Sequence, residues 1–155
     1  MHILQLEPSM LTQGDLFSQM LAIEENSGIY PYSAEELLEC LVCTDTWLLM
    51  DEGTVAGFIS IDPRCTDYED ISLHIGNLNI AAPYRRRGLA QQLIRSACGH
   101  YAASHTGKLV TLDVALINTP ARQLYAKLGF TVSDLPSENG PSDVVMTIPL
   151  EKLTG

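Results

Sequence analysis

Residues 77 to 97 read NLNIAAPYRRRGLAQQLIRSA, and the fold is decided by how this stretch divides. It is a strand up to Ile80, a turn carrying Pro83 and three successive arginines, and a helix that opens around Gly88. A helix start leaves backbone N–H groups without partners and carries partial positive charge, and glycine lets a bulky anion come close to the main chain. Arg85, Arg86 and Arg87 add donors suited to phosphate oxygens, although three consecutive side chains cannot all meet one ligand. By itself this is an anion-binding turn and nothing more specific. The G-x-G-x-x-G fingerprint and the Walker sequence are both missing, which disfavours nicotinamide and ATP sites.

Outward from this stretch, the pattern alternates between strands and helices. HILQLE at the N-terminus reads as a short strand ended by Pro8, and Leu11, Leu16, Met20 and Ile23 then predict one helix running to a stop at Gly28. Ser33 and Glu36 form a capping box for a second helix of about ten residues. A hairpin is expected around Glu52-Gly53, then a strand from Asp70 to Ile80, a helix from about Gly88 to Ser104, and a strand over KLVTLDVAL. A helix from Thr119 to Leu128 and two strands, GFTV and DVVMTIPL, complete the chain. The order β-α-α-β-β-β-α-β-α-β-β mixes hairpins with crossover helices, so an α/β sandwich is predicted rather than a doubly wound parallel sheet.

The totals fit one domain spanning residues 1–155, with 46% hydrophobic residues and no apolar run of membrane-spanning length. The start lacks the basic and apolar regions of a secretory signal, so a soluble, cytoplasmic protein without membrane partners is expected. A net charge of −10 argues against nucleic-acid binding and suits a cationic substrate better. Cys40, Cys43, Cys65 and Cys98 include one C-x-x-C pair but no second pair at ligand spacing. Cys40 and Cys43 are therefore expected to be small buried hydrophobes on a helix, and no metal is expected.

Two ordered motifs carry a family resemblance. Arg85-x-x-Gly88-x-Ala90 is similar to the GNAT acetyltransferase motif of Arg or Gln, two residues, Gly, one residue, and Gly or Ala; Asn118, Ala121, Tyr125 and the KLGF of residues 127 to 130 resemble its second motif. With the elements between, the likeness covers residues 74 to 132. It departs from the family in one respect: the proline often found at the position of Ala82 is here Pro83. The resemblance implies a mixed, mostly antiparallel sheet with a central splayed parallel pair flanked by helices. It implies acetyl-CoA as co-substrate, with the main chain of Leu78, Ile80 and Ala82 against the pantetheine arm. Arg85, Arg86, Arg87, Gly88, Leu89 and Ala90 would hold the pyrophosphate. Asn118 and Ala121 would lie beside the cofactor, and the Tyr125 hydroxyl beside the sulfur. Monomer and homodimer are both compatible with it.

The chemistry so implied is attack of a neutral primary amine on a thioester through a tetrahedral intermediate. A base must take the ammonium proton, and an acid can protonate the leaving thiolate. Tyr125 suits the acid role, although by spacing alone it is a packed aromatic on a helix. For the base, His74 falls where histone-type members place a glutamate, and it alternates in phase with Gly76, Leu78 and Ile80. The alternative is a half-buried, hydrogen-bonded histidine. Asp113 is the second candidate, because TLDV resembles the strand of ribosomal-protein N-terminal acetyltransferases in which glutamate precedes valine; it acts through water or ends the strand as a solvated charge. The same group has a stretch similar to IEENSGIYPYSAEEL, which points to protein α-amines as acceptors and to Glu24, Glu25 and Tyr32 as substrate contacts. Small amines such as polyamines, amino acids or aminoglycosides are the alternative acceptors, and a non-catalytic acyl-CoA-binding module is the alternative to an enzyme.

Overall fold

The computed structural model describes residues 1–27, 30–63 and 71–154. Cys65, the Asp70 start of the third long strand and the Gly28 helix stop lie outside the described residues. Among the described residues seven strands form one sheet in the order β1-β2-β3-β4-β5-β7-β6. They are β1 (His2–Gln5), β2 (Asp45–Asp51), β3 (Thr54–Asp62), β4 (Ile71–Ile80), β5 (Leu109–Ala115), β6 (Thr131–Val132) and β7 (Asp143–Pro149). Every neighbouring pair is antiparallel except β4 and β5, which are parallel. The helices are α1 (Leu16–Glu25), α2 (Ala34–Cys43), α3 (Leu89–Gly99), α4 (Thr119–Leu128) and the short α5 (Glu151–Thr154). Among them none is long and apolar enough to cross a membrane.

Local chemistry accounts for most of these boundaries. The Ser33 hydroxyl accepts from the Glu36 N–H at 3.2 Å while the Glu36 carboxylate accepts from the Ser33 N–H at 3.0 Å, so α2 starts on the predicted capping box. Glu52 and Gly53 both have positive φ, 48° and 86°, the geometry of a tight hairpin turn between β2 and β3. α4 begins at Asn118, whose side chain accepts from the Ala121 N–H, and ends at Gly129 with φ 110°. The single first helix expected from Leu11 onward is instead two pieces. Pro8–Thr12 is a 3-10 turn, and Gly14 at φ 58° breaks the path before α1 begins at Leu16. The helix after Gly88 is also shorter than expected, ending at Gly99 and not at Ser104.

Two apolar layers sandwich the sheet. On one face α3, α4 and α5 cover Trp47, Ile59, Ile61, Leu73, Ile75, Val110, Leu112 and Ile148; on the other α1 and α2 cover Leu48, Met50, Val55 and Phe58. Cys98 is buried in the first layer, and burial pushes its thiol up to about 12. Cys43 corrects an expectation: it is exposed on α2, whose inward face is taken by Leu37 and Leu41, while Cys40 is only partly buried.

Two irregularities in β4 shape the middle of the sheet. Ser60 pairs with Asn77 but Ile61 pairs with Ile75, so Gly76 is an extra residue, a β-bulge. The bulge reverses the side-chain alternation, which overturns the expected alignment of His74 with Leu78 and Ile80. Leu73, Ile75, Leu78 and Ile80 face the α3 layer, leaving His74, Asn77 and Asn79 on the α1 side. The second irregularity is the end of pairing with β5 at Ile75 and Leu112, beyond which the parallel strands part.

Candidate active site

The parting of β4 and β5 opens a cavity of about 500 Å³. Its walls are Gly76 to Asn79 of β4, Leu112 to Ala115 of β5, the start of α4 with Asn118, Ala121 and Tyr125, and Glu24, Ser27, Tyr30 and Tyr32 from the α1 side. Asn139, Ser142 and Asp143 close the rim. Beyond the splay, β4 remains bonded to β3 through pairs such as Phe58 with Asn79, and the Ala81 N–H donates to Ala56 at 2.8 Å. The antiparallel ladder therefore turns the main-chain groups of Leu78 and Ile80 away from β3, toward the gap. The Ile80 carbonyl is already taken by the Arg85 Nε–H at 2.9 Å, and the Ala82 carbonyl by the Arg85 N–H at 3.3 Å.

The arginine turn lies outside the cavity walls, at the start of α3. Arg86 and Gly88 both have left-handed backbone, φ 64° and 74°, and no side chain caps the helix. The first N–H groups of α3, at Leu89, Ala90 and Gln91, thus have no intrahelical partner, and a Cβ placed on Gly88 would meet nothing within 4 Å. That is open space over free donors, which fits a phosphate group. The three arginines are not equivalent. Arg85 is bonded to Ile80, while Arg87 donates to the Pro83 carbonyl at 3.2 Å and stacks 5.5 Å over the Tyr84 ring. Tyr84 in turn donates to Asp51 at 2.8 Å, tying the turn to the β2–β3 hairpin.

His74 and Asp113, proposed as separate candidates, form one unit. Their closest approach is 3.2 Å, between His74 Nε2 and Asp113 Oδ2, while Asp113 Oδ1 accepts from the Ser137 hydroxyl at 2.8 Å. Burial alone raises the Asp113 carboxyl, but the hydrogen bonds from His74 and Ser137, with the His74 charge, outweigh it and hold the group below its ordinary value. An ionised carboxylate only accepts, so Nε2–H donates to Asp113, while Nδ1 lies within hydrogen-bond distance of the Thr111 hydroxyl at 2.7 Å. Of the pair, Asp113 lines the cavity and His74 stands behind it. At 12% exposure the Asp113 side chain is not the solvated strand-end charge weighed from sequence.

Tyr125 is half-buried on α4 against Phe130, with 5.8 Å between ring centroids. Burial pushes its hydroxyl up to about 12, so it is protonated at neutral pH. Asn118 lines the cavity and caps α4. Glu25 is exposed and apart from the walls, whereas Glu24 is 4% exposed and lines them.

The surroundings of Glu24 were not anticipated. One carboxylate oxygen accepts from Asn77 at 2.5 Å and from Asn79 at 3.1 Å, and the other lies 3.3 Å from the Tyr32 N–H and 3.4 Å from the Ser27 hydroxyl. The polar N-x-N in an otherwise apolar strand was the available signal; the bulge that turns it toward α1 was not visible. Tyr32 spans the two acidic regions: its hydroxyl donates to the Gly76 carbonyl at 3.4 Å. Burial, then negative neighbours including Glu24 and Asp113, raise that hydroxyl above its usual range. Among the described residues no group of three or more His, Cys, Asp or Glu is placed to hold a metal ion.

Comparison with known proteins agrees with this geometry. Over 91 residues the chain is 32% identical to the mycothiol acetyltransferase of Corynebacterium glutamicum strain R, a match covering 59% of this chain and 30% of that protein. The fold is similar to that of the ribosomal-protein-S18-alanine N-acetyltransferase of Escherichia coli, with TM-score 0.73, 20% identity, and coverage of 96% of this chain and 93% of that one. It is also similar to the PaiA N-acetyltransferase of Thermoplasma acidophilum, solved in complex with coenzyme A, with TM-score 0.72, 20% identity, and coverage of 96% and 99%. Residues 17–130 match the model of the acetyltransferase (GNAT) family, and the chain belongs to that family.

Proposed function

We propose that the protein transfers an acetyl group from acetyl-CoA to a primary amine. The observation that carries this reading is the gap left where β4 and β5 part, with a protonated tyrosine on its wall and, outside that wall just beyond the end of β4, an uncapped helix start with open space above it. Leu78 and the Ile80 N–H offer main-chain groups to the pantetheine arm as an added strand would, and the N–H groups of Leu89, Ala90 and Gln91 face the pyrophosphate. Arg86 is the arginine of the three with no bond to its own turn, so it is the one that meets phosphate.

The amine nitrogen attacks the thioester carbon, an N–C bond forms, and the C–S bond breaks. The acceptor arrives as an ammonium ion with a solution pKa of about 8 to 10. Asp113 is too acidic to keep that proton, so it serves as counter-ion while water carries the proton to solvent, with His74 acting through Asp113 as a positioning residue. Tyr125 gives its proton to the leaving thiolate and regains one from the nitrogen. The products are the N-acetyl amine, the CoA thiol and one proton.

Acetyl-CoA turnover over a panel of primary amines tests the reading. Tyr125→Phe is expected to lower kcat by about 100-fold, the range of general-acid effects, with KM for acetyl-CoA nearly unchanged. Tight acetyl-CoA binding without transfer to any amine would instead leave an acyl-CoA-binding module. Protein α-amines are a second reading, favoured by the meeting of Glu24 and Tyr32 at the cavity from the stretch that suggested them.

A further inference from the structure

Among the described residues the cavity wall carries three carboxylates, Glu24, Asp113 and Asp143, and no lysine or arginine. Asp143 accepts from Asn139 at 3.1 Å, and Glu24 is held by two asparagine amides, a main-chain N–H and a hydroxyl. All these donors are neutral. Glu24 is nearly inaccessible to water yet lines the cavity, and no protein cation among its bonded partners offsets its charge. The rest of the polar side-chain lining is amide and hydroxyl, including Asn77, Asn79, Asn118, Ser27 and Tyr32.

Two negative regions stand apart on this wall. Asp113 is bonded to His74, and Glu24 to Asn77, three positions further along β4. At a rise of about 3.3 Å per residue the separation is on the order of 10 Å. The parted strand edge is already allotted to the pantetheine arm, so the acceptor is met by side chains rather than by a main-chain ladder. An extended peptide would lack the edge it pairs with.

On the reading that this cavity is the acceptor site, we propose that the acceptor is a small diamine or polyamine. One amine lies beside Asp113 and is acetylated; a second, still protonated, rests against the amide oxygens and hydroxyls that surround Glu24. Glu24 supplies the field that holds the second charge and fixes Asn77 and Asn79, without bonding the substrate. Acetylation removes one positive charge from the acceptor, which loosens the product.

The test is acetyl transfer by the wild-type protein to diaminobutane and diaminooctane, to the matching butyl and octyl monoamines, and to an alanyl peptide. A diamine is expected to exceed its monoamine in kcat/KM by about 10-fold or more at low salt, with the ratio shrinking as sodium chloride screens the charges. Glu24→Gln is expected to bring the ratio to within about 3-fold while acetyl-CoA binding is kept. If that variant fails to fold, the salt dependence of the wild-type ratio decides. Equal rates for diamine and monoamine, or preference for the peptide, overturn the inference while leaving acetyl transfer in place. No transfer to any amine by a protein that binds acetyl-CoA overturns the proposed function itself.

Discussion

At the scale of single residues, the outcome for Asp113 shows how neighbours set the role of an acid. A carboxyl at 12% exposure is disfavoured as an anion, yet His74 and Ser137 hold it ionised and below its ordinary 3.8. The folded group thus binds its proton less readily than the unfolded one, so the stability it adds is present above 3.8 and lost as pH falls through the lower folded value. Asp113→Asn is therefore expected to lower the urea midpoint at about pH 7, with a smaller gap to wild type at about pH 3, below the ordinary value. A gap of the same size at both pH values would show that Asp113 is not held low. Sequence reading named His74 and Asp113 separately because they are 39 positions apart; the parallel pairing of His74 with Thr111 is what joins them. The arginines show the opposite limit. Three arginines in succession read as donors for phosphate that cannot all meet one ligand, and Arg85 and Arg87 are seen to bond within the turn itself.

At the scale of elements, legibility followed the range of the interactions. The α2 capping box, the Glu52-Gly53 turn and the Asn118-to-Gly129 boundaries of α4 are set within a few residues, and those were predicted closely. The bulge at Gly76 was not, because H-I-G-N-L-N-I alternates without a visible fault and only the register against β3 exposes the extra residue. The burial of Glu24 was missed for the same reason, since its partners lie 53 and 55 positions away. The β3–β4 contact that presents those partners is unusually close at Gly57. A Cβ there would lie 2.7 Å from both the Asn79 carbonyl oxygen and the Ile80 side chain. Backbone cannot yield as a side-chain tip does, so Gly57→Ala must push β4 outward. The expected cost is about 1 to 3 kcal/mol, a fall in Tm of roughly 4 to 10 °C by thermal melt. A Tm unchanged within about 1 °C would mean that the strands relax apart without strain.

At the scale of the molecule, the splayed sheet is held open by its two faces and not by pairing across the gap. β4 is fastened to β3 and to Glu24 of α1, β5 to β7, and the arginine turn to the β2–β3 hairpin through Tyr84 and Asp51. An acetyl-CoA molecule lying in the gap would join these parts, with its arm against the Leu78 edge and its phosphates on the α3 start. Such a ligand binds the folded chain alone, so it stabilises by RT ln(1 + [L]/Kd), about 2.7 kcal/mol at one hundred times Kd. For a chain of this length that corresponds to a Tm rise of roughly 5 to 10 °C. Acetyl-pantetheine, which keeps the arm but lacks the pyrophosphate, is expected to give a much smaller rise at the same concentration, because it leaves the α3 donors and Arg86 unused. Equal shifts from the two compounds would place the binding energy in the strand edge and remove the phosphate role assigned to residues 85 to 90. A negligible shift from acetyl-CoA at saturating concentration would count against the gap as its site.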